Sequence, residues 1–306
     1  MSIEKDKGGF MEYVKTRTIM TKSDQGGHWF GIDYHMNLYR GCSFGCIYCD
    51  SRSEAYHIKN FDEIKGKVNA LDILEEELAS KQFKGVVSFG TLSDPYNIME
   101  EKYEFTRGAL KLIEKYGFGV SIDTKSDLIL RDLDLLKSIN KKNNVIIKIS
   151  ITTTDESLAK TLEPNVISPE KRFHLVKVLR ENGIYAGVLM TPVLPFVTDS
   201  EENIKSMIKE AHRVRARFIY TKMGMTLRRT VADYYYEKID QLYPGLSMDY
   251  KGIYEKSLIA NPLRYKDLLE LFVNECNRYQ LLCDMGEIIQ DYKIKVPQVN
   301  EQISLF

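Results

Sequence analysis

Three of the five cysteines of this 306-residue chain fall within eight positions, in the stretch RGCSFGCIYCDSRS. They are Cys42, Cys46 and Cys49, and Gly41 and Gly45 let the backbone wrap closely around a bulky inorganic centre. The loop supplies three thiolates, whereas a structural zinc site or a four-thiolate cluster requires a fourth ligand. A [4Fe-4S] cluster on three thiolates keeps one iron open for a substrate or cofactor. The spacing therefore favours a cluster that performs chemistry.

Other arrangements of these thiols remain open. A zinc ion completed by Asp50 or His57 is one alternative, and three unligated core cysteines are another. Cys276 and Cys283 stand more than 220 residues from the loop, so the sequence does not indicate either as a fourth ligand. Their spacing of seven predicts that both lie on one face of a helix, where core packing is the favoured interpretation.

Short β-branched runs alternate along the chain with longer helical periods. Six runs predict strands, at residues 31–39, 84–90, 117–125, 143–153, 184–193 and 216–223. Helical periods fall between them, at residues 68–80, 100–116, 127–140, 168–182 and 200–213. This alternation predicts a parallel sheet with right-handed crossovers, either an open doubly wound sheet or a partial barrel. Active sites of such sheets lie at the carboxyl ends of the strands, and the three cysteines follow the first strand directly.

The charge of the chain is balanced, with 43 basic and 43 acidic residues, so its total charge does not recruit nucleic acid or an anionic membrane. The N-terminus has no apolar stretch of signal-peptide length, and no run approaches the roughly 18 apolar residues of a membrane-spanning helix. We therefore expect a cytoplasmic protein without membrane contact. In that reducing compartment an odd number of cysteines indicates metal or catalytic use rather than a disulfide framework.

The cysteine spacing, with Tyr48 just before the last thiol, resembles the radical S-adenosylmethionine (SAM) superfamily. This resemblance implies a [4Fe-4S] cluster on Cys42, Cys46 and Cys49, whose open iron binds the amino and carboxylate groups of SAM. It also implies an electron donor such as flavodoxin or ferredoxin. The reduced cluster would cleave SAM, and the 5′-deoxyadenosyl radical would abstract hydrogen from a substrate while the protein orients and shields the reaction.

Five stretches between residues 30 and 225 together resemble the group related to spore photoproduct lyase: NLYRGCSFGCIYCDSRS, GTLSDPYNIMEEKYEFTR, DTKSDLILRDLDLL, ISITTTDESLAKTLEPNVISPEKRF and GVLMTPVLPFVTD. The resemblance implies a partial (βα)6 barrel. It also implies contacts to SAM: Tyr48 beside the adenine, Ser93 and Asp94 at the amino group, Lys125 at the methionyl carboxylate, and Ser150 at the ribose. These residue types suit a zwitterion with a sugar, because each end of the ligand meets an opposite charge or a small hydroxyl.

Two positions depart from the lyase pattern. Thr91 stands where the lyases have the cysteine that returns a hydrogen atom to the product radical, and Asp50 stands where they have a tyrosine of the same relay. A hydroxyl is a far poorer hydrogen-atom donor than a thiol, and a carboxylate cannot replace a phenol. The sequence therefore predicts hydrogen abstraction from an unknown substrate rather than repair of spore photoproduct, and it leaves the hydrogen-return donor unassigned.

Two further functions stay open. Action on a nucleic-acid base or nucleoside is favoured by a local group of basic residues, although a solvated helix end and loop is the plainer interpretation: Arg213, Arg215, Arg217, Lys222, Arg228 and Arg229. The tyrosines of ADYYYEK, at 232–238, would stack on bases or pack a half-buried face. Glu163 and Arg172, expected near the barrel mouth, would bind substrate or pair locally. The other possibility is a non-enzymatic iron–sulfur protein.

We expect four segments: an N-terminal extension (1–30), the partial barrel (31–225), a helical C-terminal region over the barrel mouth (226–295) and a mobile tail (296–306). No strand signal follows residue 225, so the C-terminal region is predicted to be helices followed by polar tail residues.

The tail ends in EQISLF, which resembles the short motif by which bacterial DNA-processing proteins dock on the replication sliding clamp. Leu305 and Phe306 would be two apolar anchors, and Gln302 would fix the register ahead of Ile303 and Ser304. The alternative is that the two anchors fold back on the protein's own helices.

Overall fold

A computed structural model of the protein describes residues 3–5, 12–23, 28–255 and 257–293. Within these ranges the strands are β1 (Ile3–Lys5), β2 (Glu12–Val14), β3 (Met20–Lys22), β4 (Tyr34–Met36), β5 (Tyr39–Arg40), β6 (Lys65–Lys67), β7 (Val86–Phe89), β8 (Gly119–Thr124), β9 (Val145–Ser150), β10 (Tyr185–Val193), β11 (Ile219–Met223), β12 (Met225–Thr226) and β13 (Ile259–Ala260). The α-helices are α1 (Ala70–Ser80), α2 (Glu100–Tyr103), α3 (Phe105–Tyr116), α4 (Leu133–Lys142), α5 (Glu156–Leu162), α6 (Pro169–Glu181), α7 (Glu201–Arg213), α8 (Arg229–Leu242), α9 (Leu246–Tyr254), α10 (Tyr265–Arg278) and α11 (Met285–Lys293).

The main sheet has seven strands in the order β11-β10-β9-β8-β7-β4-β3. Six of them run parallel in chain order, and β3 pairs antiparallel at the edge. These six are the six strands predicted from the sequence, each now joined to the next by helical crossovers. Every residue of β9 is buried, as expected for a parallel strand covered on both faces. The predicted fold class, a partial (βα)6 barrel with a helical C-terminal extension, is confirmed.

Local sequence signals fix the crossover helices. At the start of α6, Ser168 accepts a hydrogen bond from the backbone N–H of Lys171, and Pro169 occupies the first turn, where its missing N–H costs nothing. Gly183 follows the helix with a φ of 77°, which a side chain would strain. Ser200 caps α7 in the same way. These signals set where each helix begins and ends, and hence where the strands emerge.

The lower part of the barrel lumen is filled by apolar side chains. The turn at residues 28–31 inserts Phe30, and α11 contributes Ile288 and Tyr292 against strand residues such as Phe218. The Tyr292 hydroxyl donates to the backbone carbonyl of Phe30, so the two segments are tied together. We call this cluster the lumen floor; its buried members are Phe30, Ile32, Ile146, Tyr185, Leu189, Phe218, Ile288 and Tyr292.

The C-terminal region packs on the cysteine loop. Tyr235 of α8 and Tyr250 of α9 are fully buried in a cluster that includes Cys46 and Tyr48. This confirms the packing interpretation for the tyrosine-rich stretch. The prediction that no strand follows residue 225 is wrong, because β12 and β13 form a small antiparallel pair. Each strand is two residues long, too short to show any period.

A second sheet, in the order β1-β2-β6-β5, was not predicted. Its strands have two or three residues each and come from the N-terminal extension, the residues directly before the cysteine loop and the segment before α1. No helix within the described residues is long and apolar enough to cross a membrane. The predicted clamp-docking residues, Gln302 to Phe306, lie outside the described ranges.

Candidate cluster and cofactor site

One cavity of about 380 Å³ opens at the carboxyl ends of the parallel strands. Its volume lies within the range of small-molecule sites. The cavity brings together all eight residues that the sequence assigns to the cluster and to SAM: Cys42, Cys46, Cys49, Tyr48, Ser93, Asp94, Lys125 and Ser150. Met225, Thr226 and Ile259, on the β12–β13 pair, also line it, so the C-terminal region forms part of the cavity wall.

The cysteine loop is held by backbone contacts on both sides. The N–H of Cys42 donates to the carbonyl of Phe61 at 2.8 Å, and the N–H of Ile47 donates to the carbonyl of Leu162 at 3.0 Å. Gly41 has a φ of 81°, and a side chain there would meet the carbonyl oxygens of Phe61 and Glu63. The predicted need for glycine is therefore a requirement of close backbone packing.

The three thiols differ in exposure. Cys46 is buried, whereas Cys42 and Cys49 are half-buried and face the cavity. Burial raises the pKa of Cys42 to about 11, and the neighbouring carboxylate of Asp94 contributes in the same direction. Burial also raises the pKa of Cys46, against the opposing effect of Lys125. Thiols in such an apolar wall need a positive centre in the cavity to be held as thiolates.

The zinc alternatives do not fit the geometry. Among the described residues, no three His, Cys, Asp or Glu side chains are placed to hold a single metal ion. Asp50 instead forms an ion pair with Arg228 at 2.9 Å and accepts a hydrogen bond from Tyr56. His57 is exposed and is not part of the cavity lining. Three thiols around a roomy cavity fit a cluster, in which each thiolate binds a different iron.

Asp94 is fixed by the end of β8. Its carboxylate accepts hydrogen bonds from the backbone N–H of Lys125 and of Tyr96, both at 2.9 Å, and from the Thr124 hydroxyl at 2.8 Å. Burial nevertheless raises its pKa, and these donors oppose that effect. A carboxylate has about four acceptor positions, so one is left for a ligand's ammonium group. Beside it, the Ser93 hydroxyl donates to the carbonyl of Tyr39.

Lys125 lies in a field of negative charge. Burial alone would lower the pKa of Lys125. Cys46 and Glu163 raise this pKa by more than burial lowers it, so the pKa of Lys125 lies above its ordinary value. The side chain is therefore a cation at neutral pH. Asp123, near the end of β8, and Lys125, directly after the strand, both line the cavity.

A buried chain of polar contacts lies beneath the cysteine loop. The Tyr48 hydroxyl donates to the carboxylate of Glu163, and Glu163 forms an ion pair with Arg172 at 2.7 Å. Arg172 also donates to the backbone carbonyl of Ser150 at 2.8 Å. Glu163 and Arg172 are only 1% exposed, so they pair locally instead of facing the main cavity. The chain links the loop to the end of β9, and nothing in the sequence indicates a contact between positions 48 and 163.

The rest of the cavity wall includes residues that the sequence did not single out as substrate contacts: Trp29, Asp123, Leu189 and Thr191. Asp123 forms an ion pair at 2.6 Å with Lys148, which is fully buried and also lies over the ring of Phe30. Thr91 and Lys222 also line the cavity. Burial lowers the pKa of Lys148, and Asp123 opposes that shift. This pair lies between the cavity and Phe30 of the lumen floor.

The basic residues noted in the sequence do not form one group. Arg213 and Arg217 lie before β11, where they pair with Glu210 and with Asp291. Lys222 lies near the other end of β11, and Arg228 lies beyond that end. A strand of five residues is roughly 17 Å long, so these two residues are far from Arg213 and Arg217. Arg228 is engaged by Asp50. A single phosphate-binding patch is therefore not present at these positions.

Comparison with known proteins places this site in a family. Residues 36–208 match the radical SAM superfamily. An uncharacterized protein of Mycobacterium tuberculosis is 28% identical over 243 residues, which cover 77% of this chain and 71% of that protein. An uncharacterized protein of Methanocaldococcus jannaschii is 34% identical over 171 residues, covering 56% and 64%. A solved structure of a spore photoproduct lyase variant aligns with a TM-score of 0.64 at 16% identity, covering 89% of this chain and 79% of the other, which shows a shared fold.

Because the match covers more than half of its length, the chain belongs to the radical SAM superfamily. It is a radical SAM enzyme, and its cofactors are a [4Fe-4S] cluster and SAM. The alternative of a non-enzymatic iron–sulfur protein is therefore set aside.

Proposed function

We propose that Cys42, Cys46 and Cys49 hold the cluster and that the same cavity binds SAM and a substrate from which hydrogen is abstracted. One observation carries the proposal: three thiols, a fixed carboxylate and a charged lysine converge on one cavity at the carboxyl ends of the strands. When bound, the cluster supplies the electron that cleaves SAM to a 5′-deoxyadenosyl radical.

The side chains divide the work of binding SAM. Asp94, with one acceptor position left, takes the amino group, with the Ser93 hydroxyl beside it. The cation of Lys125 takes the methionyl carboxylate, and Ser150 takes a ribose hydroxyl. Tyr48 places its ring beside the adenine, and its bond to Glu163 fixes that ring against the cavity wall.

The other half of the cavity is the substrate side. Asp123 accepts hydrogen bonds from N–H or O–H groups of the substrate, and Lys148 balances its charge from below. Lys222 offers a cation at the rim, and Trp29 offers a ring face. Thr91 occupies the wall without a transferable thiol hydrogen, which supports a reaction other than the repair of spore photoproduct.

Reductive cleavage of SAM is the direct test. The protein is reconstituted anaerobically with iron and sulfide, then given dithionite and SAM, and 5′-deoxyadenosine is measured. We expect its formation by the reconstituted protein and none by a Cys46→Ala variant treated in the same way. Normal iron content without any 5′-deoxyadenosine would contradict the proposal.

A nucleic-acid base or nucleoside is the second candidate substrate. The cavity side chains that favour it are Trp29, whose ring can stack on a base, and Lys222, whose cation can meet a phosphate. The test supplies oligonucleotides deuterated in turn at the methyl and ring carbons of each nucleobase, and deuterium is measured in 5′-deoxyadenosine. Transfer that is lost in a Trp29→Ala variant supports this substrate class, and absence of transfer from any deuterated nucleobase position rejects it.

The proposed reaction requires a partner that donates electrons. An electron donor such as flavodoxin or ferredoxin would reduce the cluster in the cytoplasm, a compartment suited to five free cysteines.

Docking of residues 302–306 on a sliding clamp would bring the enzyme to DNA. A peptide of residues 296–306 should bind purified clamp from the same organism with micromolar affinity, about −7 to −8 kcal/mol. The same peptide lacking Leu305 and Phe306 should not bind, and equal behaviour of the two peptides would defeat the idea.

A further inference from the structure

The two remaining cysteines lie together at the end of α10. The helix ends at Arg278, and Gln280 adopts a left-handed φ of 54°. This turn directs the N–H of Leu281 back to the carbonyl of Cys276 at 3.0 Å. The next residue is tied to the barrel, because the N–H of Ile219 donates to the carbonyl of Leu282 at 3.0 Å. Cys283 is thereby folded back toward the end of α10, where its thiol and that of Cys276 lie close enough to influence each other.

The two thiols have different surroundings. Cys276 is completely buried in the main core, whereas Cys283 is partly exposed at its edge. The neighbouring thiol of Cys276 lowers the pKa of Cys283, although burial and the nearby carboxylates of Glu287 and Asp284 oppose the shift. The neighbouring thiol of Cys283 and burial raise the pKa of Cys276. One accessible thiol of increased acidity beside one protected thiol is the usual arrangement of an attacking and a resolving cysteine.

The proposed SAM chemistry leaves this pair unused. Neither cysteine lines the cavity, and the pair lies beside the start of β11, whereas Lys222 marks the cavity end of that strand. A metal site is not indicated, because among the described residues no third His, Cys, Asp or Glu completes one here. Core packing alone, the interpretation favoured by the sequence, explains the burial of Cys276 but gives no role to the half-exposed thiol beside it.

We propose that Cys283 and Cys276 form a reversible disulfide by exchange with small disulfides such as oxidised glutathione. The Cys283 thiolate attacks one glutathione sulfur, giving a mixed disulfide and releasing one glutathione thiolate. Cys276 then attacks the Cys283 sulfur, and its proton goes to the second glutathione as that thiol leaves. The balance is two protein thiols and one glutathione disulfide converted into one protein disulfide and two glutathione thiols.

The sequence offers a clean way to detect this link. Trypsin cleaves after Lys266, Arg278 and Lys293, so Cys276 and Cys283 fall in separate peptides, 267–278 and 279–293. The full-length, cluster-loaded protein is equilibrated anaerobically in glutathione buffers of increasing oxidised fraction, trapped with N-ethylmaleimide, digested and analysed by mass spectrometry. We expect the two peptides to appear as one disulfide-linked species in oxidised buffer and separately after dithiothreitol.

A comparison of the folded protein with the protein unfolded in urea shows whether formation of the disulfide depends on the native structure. The ratio of linked peptides to glutathionylated Cys283 should be at least about tenfold higher in folded protein than in urea, since the fold holds Cys276 beside the mixed disulfide. A Cys276→Ser variant should accumulate glutathione on Cys283. A Cys283→Ser variant should leave Cys276 unmodified, because that thiol is buried.

Three results would overturn the proposal. One is that both thiols of the folded protein remain reduced, and are recovered alkylated by N-ethylmaleimide, in a buffer that links them in urea. Another is a linked-to-mixed ratio no higher in the folded protein than in urea. The third is modification of Cys276 in the Cys283→Ser variant as fast as that of Cys283 in the Cys276→Ser variant, which would contradict the order of attack.

Discussion

The two ends of the barrel lumen bury opposite kinds of side chain. The floor is almost entirely aromatic and aliphatic, with Phe30 and Phe218 completely buried. The mouth carries Asp94, Lys125 and three thiols around a cavity. Apolar burial supplies free energy of folding, whereas buried charges cost free energy unless donors and partners surround them. The floor therefore contributes mainly to stability, whereas the mouth carries the side chains assigned to the cluster and to SAM.

One layer lies between the mouth and most of the floor, and Leu189 is the floor residue that also lines the cavity. Lys148 forms an ion pair with Asp123 on its cavity side and lies 4.6 Å from the centre of the Phe30 ring on its floor side. Its ammonium also donates to the Ser121 hydroxyl at 2.8 Å. A fully buried lysine is tolerated here because a carboxylate, a hydroxyl and a ring face all meet it. Substitutions on the two sides of this layer should therefore have separable effects.

The largest effect is expected at the mouth. Single alanine substitutions of Cys42, Cys46 or Cys49 should abolish the content of about four iron atoms and the cleavage of SAM, because the loop then lacks a ligand. The free energy of unfolding of the apoprotein should change little. Iron analysis and denaturant unfolding measure the two quantities. As controls, Cys276→Ala and Cys283→Ala should keep their iron, and loss of half of it in either would show that the ligand assignment is wrong.

A substitution in the lumen floor should lower the free energy of unfolding and leave SAM binding unchanged. Phe218→Ala should lower the free energy of unfolding by about 3–5 kcal/mol, since it leaves a cavity in a fully buried cluster. Any variant that still loads a cluster should bind SAM with unchanged affinity. Phe83, which is 62% exposed, gives a matched Phe→Ala control with little change expected. A large loss of SAM affinity in folded Phe218→Ala protein would show that floor and mouth are coupled.

A smaller effect is expected when the mouth loses one charge. Lys125→Ala or Asp94→Asn should weaken SAM binding by about 1.5–3 kcal/mol with iron content unchanged, because each removes a charge-assisted contact to one end of the zwitterion. Lys222→Ala, which removes a cation on the substrate side, should leave SAM affinity as it is. Equilibrium binding to the reconstituted protein measures this. An unaltered affinity in Lys125→Ala would remove that residue from the SAM site.

The smallest effect is expected outside the lumen. Arg217 and Asp291 form an ion pair at 2.6 Å that joins the start of β11 to α11 at the surface. Because solvent screens the pair, Arg217→Gln should cost no more than about 1 kcal/mol in the free energy of unfolding. Thermal unfolding measures the change. A cost as large as that of Phe218→Ala would mean that the outer anchor of α11, rather than its apolar face, holds the floor closed.

The sequence predicted best what depends on local pattern. All six parallel strands were anticipated, and so were the crossover helices except α5, because β-branched runs and helical periods are read from neighbouring residues. The cysteine loop was anticipated because its spacing is local, and the structure gathers the eight assigned residues around one cavity.

The features that the sequence did not predict correctly have a common physical cause. The Tyr48–Glu163 and Asp123–Lys148 contacts join separate strands and loops, and nothing in a local pattern records them. The prediction that Cys276 and Cys283 share a helix face is wrong, because α10 ends at Arg278 and Gln280 takes a left-handed turn. The two- and three-residue strands of the second sheet are set by their partners, and a strand that short carries no periodicity.

The lumen floor also constrains the order in which the chain can be completed during synthesis. Its halves, the turn at 28–31 and α11, are separated by more than 250 residues, yet the Tyr292 hydroxyl bonds to the carbonyl of Phe30. A growing chain emerges from the ribosome with its N-terminal part first, so Phe30 and Phe218 lack their contacts with Ile288 and Tyr292 until α11 has been made. The lower end of the lumen is therefore closed only by a helix that is made long after the strands around it.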